Sequence, residues 1–392
     1  MKRTEVPLLA AIFLDLLGFG MIIVDIQFRA EDLGASGLVI GLLLASMFVV
    51  QLLVSSRWGK LSDRIGRKAV LVTCTSISGL GMVAYALATN LWWILLARVL
   101  AGLGAANVAV AQAYISDTSD HESRTAAMGR IGAAISTGLI AGPALAGGLK
   151  ALHLDGYLGW IAAAASGLGA LWIMLAVPHH APEPTTETPA AGKRIRFDIA
   201  LLRDIPALRP LLVISVVAWF SLAALEGTFG RLIQRTLGYD QREFGLIFGY
   251  ESLLGVIVPG VILAWLAKRF GDLVLVRAGY LLQGIGLALT PVAPGLLALF
   301  GASTLYAFGQ GIANPTVTSL ASKMTPPTRQ GELFGLMQSA RSVGFVIGPI
   351  LGGQLFDLWP PAPYFFAGGI CVLAAVLVNA QRRAPVAEAP AP

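Results

Sequence analysis

Apolar runs of about twenty residues succeed one another along almost the entire chain, and this repetition limits the fold more than any single motif does. Segments such as "LLAAIFLDLLGFGMIIV" (8–24) and "LLVISVVAWFSLAALEG" (211–227) are interrupted only by isolated acids, hydroxyls and glycines. At about 1.5 Å of rise per residue, a twenty-residue helix crosses a hydrocarbon layer about 30 Å thick. Of 392 residues only 13% are charged, 56% are hydrophobic and 45 are glycine. Such a chain cannot cover a water-facing surface; its solvent is lipid.

The runs place twelve helices, at 7–26, 37–56, 69–89, 91–115, 126–149 and 157–177, then at 208–230, 244–267, 273–292, 295–320, 333–357 and 362–381. Between the two sets lies "PHHAPEPTTETPAAGKRIRFD" (178–198), rich in Pro, Thr and Ala and free of apolar periodicity, which reads as a flexible linker. The expected organisation is an N-terminal six-helix bundle (1–177), a cytoplasmic linker (178–207), and a C-terminal six-helix bundle with a short cytoplasmic tail (208–392). The halves are related in sequence. "SDRIGR" (62–67) lies over "AKRFGD" (267–272), and "GPALAGG" (142–148) over "GPILGGQ" (348–354), at a near-constant offset of about 205 residues. Parallel six-span repeats are a transporter architecture, with the site where the halves meet. With both termini cytoplasmic, the inner loops and tails carry about four times as many Lys and Arg as the outer loops, which orients the chain.

The N-terminal "MKRTE" is basic, but the apolar stretch after it is long and holds Asp15 and Asp25, so it reads as a retained first span rather than a signal peptide. The net charge of +6 does not indicate nucleic acid, because the cations sit in short loops between apolar segments. Cys74 and Cys371 lie inside apolar runs and read as small core hydrophobes.

The stretch "RWGKLSDRIGRK" (57–68) sets five cations and one carboxylate between two of the most apolar regions. Topology accounts for Arg57, Lys60 and Lys68. It does not account for Asp63, nor for Gly59 and Gly66, which permit a tight, closely packed turn. A carboxylate among cations holds a fixed network and favours the positive N-terminal end of a nearby helix. "GKLSDRIGRKAVL" (59–71) resembles, almost position for position, the signature loop of the major facilitator superfamily. The resemblance implies a conformational latch made by Asp63, Arg64 and Arg67, with Asp117 at the end of span four ("ISDTSD") as partner. The second-half copy departs from it: Lys268 stands in place of Asp63 and Asp272 in place of Arg67. A latch there must work differently.

The resemblance runs along the chain. "LLARVLAGLGAA" (95–106) is similar to the family's fourth-span motif, whose arginine, here Arg98, is associated with proton transfer. "GLIAGPALAGG" (138–148) resembles the fifth-span motif of its antiporters, and "FLDLLGFGMII" (13–23) the first span of its tetracycline and multidrug efflux group. That group usually carries a proline where Val24 stands and a Leu-Pro pair where Ile26 and Gln27 stand. Tetracycline exporters also carry an acid in span three, and 69–89 has none. The resemblance therefore implies drug:proton antiport rather than tetracycline export. Gly138, Gly142, Pro143, Gly147 and Gly148 have no reactive groups, so their role is backbone shape: close approach and a bend, or ordinary tight packing. Their recurrence as Gly348, Pro349, Gly352 and Gly353 favours paired bends.

Ionisable groups in a bilayer cost several kcal/mol unless paired, protonated or watered. Asp15 stands about 12 Å along span one, in its inner half. Asp25 is near the outer end and reads as interfacial; Glu226 is similarly placed in span seven, and Glu251 lies in the outer half of span eight. Desolvation favours a neutral carboxyl group, while a guanidinium or water favours the charged form. A site wetted alternately from either side can thus load and release a proton. Asp15, Glu226 and Glu251 are the candidates, with Arg98. The competing roles are a helix-packing hydrogen bond for Asp15 and structural ion pairing for Arg98 and Arg341. By analogy with the family, the substrate cavity is lined by spans one, four, seven and ten, which offers Asn107, Gln112, Trp219, Phe220, Tyr306, Gln310 and Asn314, with Arg341 as a further candidate.

There is no G-x-x-x-x-G-K-[ST] loop, no Cys/His metal spacing and no G-x-S-x-G nucleophile, so no enzyme, cofactor or metal is expected. The expected partners are a small-molecule substrate, protons and the lipid bilayer, and the family's usual state is monomeric. The leading reading is proton-coupled efflux of small amphipathic compounds across a bacterial cytoplasmic membrane. The alternatives are a proton-coupled importer of a nutrient or organic anion, in which Arg98 and Arg341 bind the acid, and a transport-dead receptor, which would need long extramembrane segments.

Overall fold

In hydrocarbon a peptide group finds no water, so each apolar run must close its own backbone hydrogen bonds, and the helix is how it does so. A computed structural model describes residues 5–118, 124–178, 200–326 and 329–380. The helices are α1 (Glu5–Asp32), α2 (Gly37–Ile65), α3 (Arg67–Ala86), α4 (Leu91–Gly104), α5 (Asn107–Thr118), α6 (Arg124–Ala151), α7 (Leu158–Ala176), the short α8 (Ala200–Asp204), α9 (Leu208–Leu237), α10 (Gln241–Ile257), α11 (Leu263–Phe270), α12 (Asp272–Leu289), α13 (Leu296–Lys323), α14 (Gln330–Leu358) and α15 (Ala362–Ala380). Among the described residues eleven stretches are long and apolar enough to cross a membrane, and Ala362–Val378 is a shorter apolar twelfth. Every expected span is present. The linker expected at 178–207 falls outside the described residues over 179–199, as does the tail beyond 380.

The helices overrun their apolar cores. The charged stretch 57–68 is therefore not an open loop: α2 runs through it to Ile65, and Gly66 alone separates α2 from α3. Gly66 adopts φ 96° and ψ 145°, a left-handed conformation that side chains disfavour. Gly271 repeats the device between α11 and α12, at φ 74° and ψ 158°. Gly59 departs from expectation, because a Cβ there meets nothing within 4 Å. Likewise α9 continues to Leu237, which turns Arg231 and Arg235 from outer-loop residues into helical ones.

Two spans are interrupted. The fourth breaks between α4 and α5, where the Ala105 carbonyl accepts a hydrogen bond from Gln51 Nε2 at 3.4 Å. The eighth passes from α10 to α11 through one π turn, Val258–Ile262, which contains Pro259.

Contacts group the chain into two units: Met1–Ala191 with Glu226–Ser252 and Pro349–Leu358, and Gly192–Leu225 with Leu253–Gly348 and Trp359–Pro392. In the first, α1 packs on α6 and α7, and α3 on α4 and α7, around buried Leu8, Ile12, Leu71, Cys74, Val110 and Ile173. In the second, α12 packs on α13 and α15. Cys74 and Cys371 are both buried and unbridged.

Without a hydrophobic drive between helices in lipid, close packing of small residues holds them together. A Cβ on Gly142 would stand 2.7 Å from the Leu17 carbonyl oxygen, and one on Gly138 would stand 2.8 Å from that of Phe13. In the second unit a Cβ on Gly348 would stand 2.8 Å from Ala223 Cβ and one on Gly344 would stand 2.5 Å from Trp219 Cβ. Each pair is the other shifted by about 206 residues, as a six-span duplication requires. Gly147 faces the backbone of α10 at Gln241 and Gly245, whereas Gly148 faces open space, so the motif's last glycine has no packing role.

Overpacking of a helix contact costs about 1–3 kcal/mol. Gly142→Leu is therefore expected to lower the melting temperature of the detergent-purified protein by several degrees, while Gly148→Ala leaves it unchanged. Equal melting of the two variants would remove the special status of Gly142.

Candidate functional site

The charge turn is held chiefly by Arg67. Its Nη1 lies 2.5 Å from Asp63 Oδ1, four residues back across the Gly66 turn on α2, and its Nε lies 2.9 Å from Asp117 Oδ2 at the end of α5. Arg67 also donates to Ser62 Oγ, which donates to the Gly59 carbonyl at 2.7 Å. Arg64, expected in the latch, is exposed and makes no ion pair among the described residues. The second-half copy retains the pair with its polarity reversed: Lys323 Nζ lies 2.6 Å from Asp272 Oδ2. Asp272 and Lys323 are the counterparts of Arg67 and Asp117, shifted by about 205 residues.

Asp15 is 5% exposed and sits in a cage of neutral groups. Asn107 Nδ2 donates to its Oδ2 at 2.6 Å, and Ser166 donates to its Oδ1. Ser78 is a third hydrogen-bonding neighbour. Asn107 is available because the chain breaks before it, and its own Oδ1 caps the Val108 N–H at 2.7 Å. Asn107 was expected to line a cavity; instead it holds the carboxylate. The counterpart of Asp15 in the second unit is Ser221, whose Oγ lies 3.3 Å from Cys371 Sγ, so only one half of the duplication carries the acid.

Arg98 is buried. It donates to the carbonyls of Leu43 and Leu44 at 3.3 and 3.1 Å and lies 5.8 Å from the Phe19 ring. Both acceptors are neutral backbone carbonyls. Glu226 and Glu251 are partly buried. Gln27 bridges α1 to α9: its Nε2 donates to the Glu226 carbonyl and its Oε1 accepts from Gly230 N at 3.1 Å. A proline could make neither bond, which explains the departure at this position.

Two clusters escaped the sequence reading. Asp25 is buried rather than solvated, at 8% exposed, accepting from Tyr85 Oη at 2.6 Å and from Gln241 Nε2. Arg29 stacks on the Tyr85 ring at 5.0 Å. Beyond it, Arg231 pairs with Glu31 at 3.1 Å and Asp357 at 3.3 Å, and Arg235 pairs with Glu31 at 2.6 Å. Asp357 also caps the start of α2 at Gly37 N and Leu38 N, where Gly37 and Gly353 meet backbone to backbone. Charged residues at span ends are the available signal, and in the sequence Arg29, Arg231 and Arg235 read as outer-loop cations.

Within the second unit a cavity of about 240 Å³ is walled by α9, α12, α13 and α14 and includes Trp219, Asn314 and Arg341. The Arg341 guanidinium stacks 4.5 Å from the Trp219 ring and 5.5 Å from that of Phe345. The other expected cavity residues do not wall it. Phe220 is buried against Phe366, Gln310 donates to the Tyr306 hydroxyl at 3.2 Å, and Gln112 is exposed.

Twelve apolar helices from a duplicated half, paired helix–glycine–helix charge turns and carboxylates buried in the spans define a polytopic membrane transporter. The Major Facilitator Superfamily model matches residues 8–283 and 211–392, and the chain belongs to that family. It is 27% identical over 361 residues to multidrug resistance protein 1 of Bacillus subtilis (strain 168), covering 92% of this chain and 91% of that protein. It is 26% identical over 386 residues to the quinolone resistance protein NorA of Staphylococcus aureus (strain MRSA252), covering 96% of each. It is 28% identical over 390 residues to the class E tetracycline resistance protein of Escherichia coli, covering 97% and 95%. The crystal structure of the nucleoside transporter NupG superposes with a TM-score of 0.80 at 15% identity, over 98% of this chain and all of that one. That likeness speaks to fold alone.

If the reversed pair is equivalent, the first half should accept the second half's polarity. Arg67→Asp alone is expected to cost on the order of 1 kcal/mol, read as a lower melting temperature. The triple variant Asp63→Lys, Arg67→Asp, Asp117→Lys, which copies Lys268, Asp272 and Lys323, should recover most of the loss. A triple variant no better than Arg67→Asp would contradict the equivalence.

Proposed function

We propose that the protein exports small amphipathic compounds across a bacterial cytoplasmic membrane in exchange for protons, by alternating access, acting as a monomer with both termini cytoplasmic. The observation that carries this reading is Asp15, buried at 5% exposure and held by neutral hydrogen-bonding side chains. A carboxyl group so placed is cheapest when neutral and gives up its proton when water reaches it. Asp15 is thus suited to carry the proton, with Glu226 and Glu251 as further carriers and Arg98 as the fixed positive neighbour of Glu226. The names of the relatives, multidrug and quinolone resistance among them, support drug-like cargo and outward direction. Tetracycline resistance also occurs among them, but α3 holds no acid, and the resemblance ascribes one to tetracycline exporters.

Arg67 with Asp63 and Asp117 acts in this reading as a latch on one face, and Arg231 with Glu31 and Asp357 as its counterpart at the opposite ends of the spans. Two separated latches released in turn are what alternating access requires. Gly138, Gly142, Pro143 and Gly147 let α6 lie against α1 and α10 so that these helices can shift as a set.

Everted vesicles with an imposed pH gradient test the coupling. Wild type should drive uptake of ethidium into the vesicles, Asp15→Asn should lose it at least about tenfold, and overexpression should protect cells against a panel of toxic compounds. Unchanged proton-driven flux in Asp15→Asn, Glu226→Gln and Glu251→Gln alike would overturn the coupling. A growth defect on one nutrient after deletion, with no change in toxin sensitivity, would favour import.

A further inference from the structure

The charge turn of the second half parts from that of the first at one position. Asp63 closes on Arg67 at 2.5 Å. Lys268 stands in place of Asp63, but it does not close on Asp272, which pairs instead with Lys323 at 2.6 Å. Lys268 and Arg269 are exposed, and among the described residues neither makes an ion pair. Two adjacent cations therefore have no acid to answer them.

They lie on the outward face of α11. Leu263, Leu266 and Ala267 pack inward on the cluster of Val258, Leu275 and Ile312. Outward stand Val261 at 72% exposure in the π turn and Trp265 at 59%, with Lys268 and Arg269 one turn further on. The Arg269 guanidinium lies 5.9 Å from the rings of both Trp265 and Phe270. Among the described residues Gln241–Phe270 is the least buried of the eleven spans, so lipid rather than protein covers this face. Its 30 residues span about 45 Å at about 1.5 Å each. That length exceeds a hydrocarbon layer of about 30 Å and carries the last turn among the headgroups.

We propose that this face binds an anionic phospholipid, its phosphate between Lys268 and Arg269 and an acyl chain along Trp265 and Val261. Charge complementarity selects the headgroup: a zwitterionic lipid brings its own cation to the same two side chains. The aromatic and apolar surface beneath the cations selects a lipid over a free anion, which would leave Trp265 and Val261 uncovered. The first half does not repeat the site. There Lys60, Asp63 and Arg64 stand in place of Trp265, Lys268 and Arg269, so an acid interrupts the cations and the aromatic is missing. Topology accounts for cations at this end of a span, but not for an exposed tryptophan set one turn beneath an unpaired couple. The site is independent of the direction of transport.

Quenching of Trp265 by brominated lipids reads the site locally. The full-length protein is reconstituted in phosphatidylcholine containing brominated phosphatidylglycerol or brominated phosphatidylcholine. The fluorescence that Trp265→Phe removes is assigned to Trp265. Wild type should associate with phosphatidylglycerol there at least about fivefold more tightly, equivalent to about 1 kcal/mol, the worth of one cation near a charged membrane surface. Lys268→Gln with Arg269→Gln should erase the preference, and Arg64→Gln on the first-half turn should keep it. Equal quenching of wild type by the two lipids, or a preference that survives the double substitution, would overturn the proposal. So would displacement of the brominated lipid by excess soluble glycerol phosphate, which would mark a site for free anions. Both substituted residues are exposed and the comparison of lipids in wild type needs neither variant, so a folding defect leaves the test standing.

Discussion

A polar group inside hydrocarbon must find its partner within the protein, and most of this structure follows from that constraint. Backbone groups meet it by forming helices. Where a helix breaks, a side chain takes over: Gln51 covers the Ala105 carbonyl and Asn107 covers the Val108 N–H. Side-chain charges meet it in one of two ways, and the difference separates structure from function. The Arg231 charge is paired through Nε and Nη2 with acids on two other helices and so ties them together, while its buried Nη1 has no hydrogen-bond partner. Asp15 is held by neutral groups, which position it without fixing its protonation state.

The duplication gives that contrast a control within the same chain. Packing is repeated faithfully: Gly138 and Gly142 against α1 recur as Gly344 and Gly348 against α9. The two turns at Gly66 and Gly271 share one backbone conformation. Chemistry is not repeated. The carboxylate of Asp15 becomes the hydroxyl of Ser221, and the Arg67–Asp117 pair becomes Asp272–Lys323. Shape is shared because both halves solve the same packing problem in lipid. Charge is free to diverge because each site needs only complementarity, and reversing both partners preserves it.

Apolar periodicity made the helical fold legible, since length and hydropathy alone decide whether a segment can cross a bilayer. The resemblance carried by short local motifs pointed to Arg67 and Asp117, which pair at 2.9 Å, and to Gly138, Gly142 and Gly147 of α6, which lie close against neighbouring backbone. What escaped were contacts between segments distant in sequence. Nothing near Asp25 announces Tyr85 or Gln241, and Asn107 looked like a cavity residue until α1 brought Asp15 against it. The helices' overrun past their apolar cores was equally hidden. It converted Arg231 from a loop cation into a buried clasp and reduced an apparent loop at 57–68 to the single residue Gly66.

The central claim is that cargo and proton compete for one protein through the carboxyl group of Asp15. Proton release into weakly buffered solution, recorded while a transported compound is added to the detergent-purified protein, tests it most directly. The account predicts a release that saturates with the compound in wild type and is absent in Asp15→Asn at concentrations where the compound still binds. An undiminished release from Asp15→Asn would contradict it.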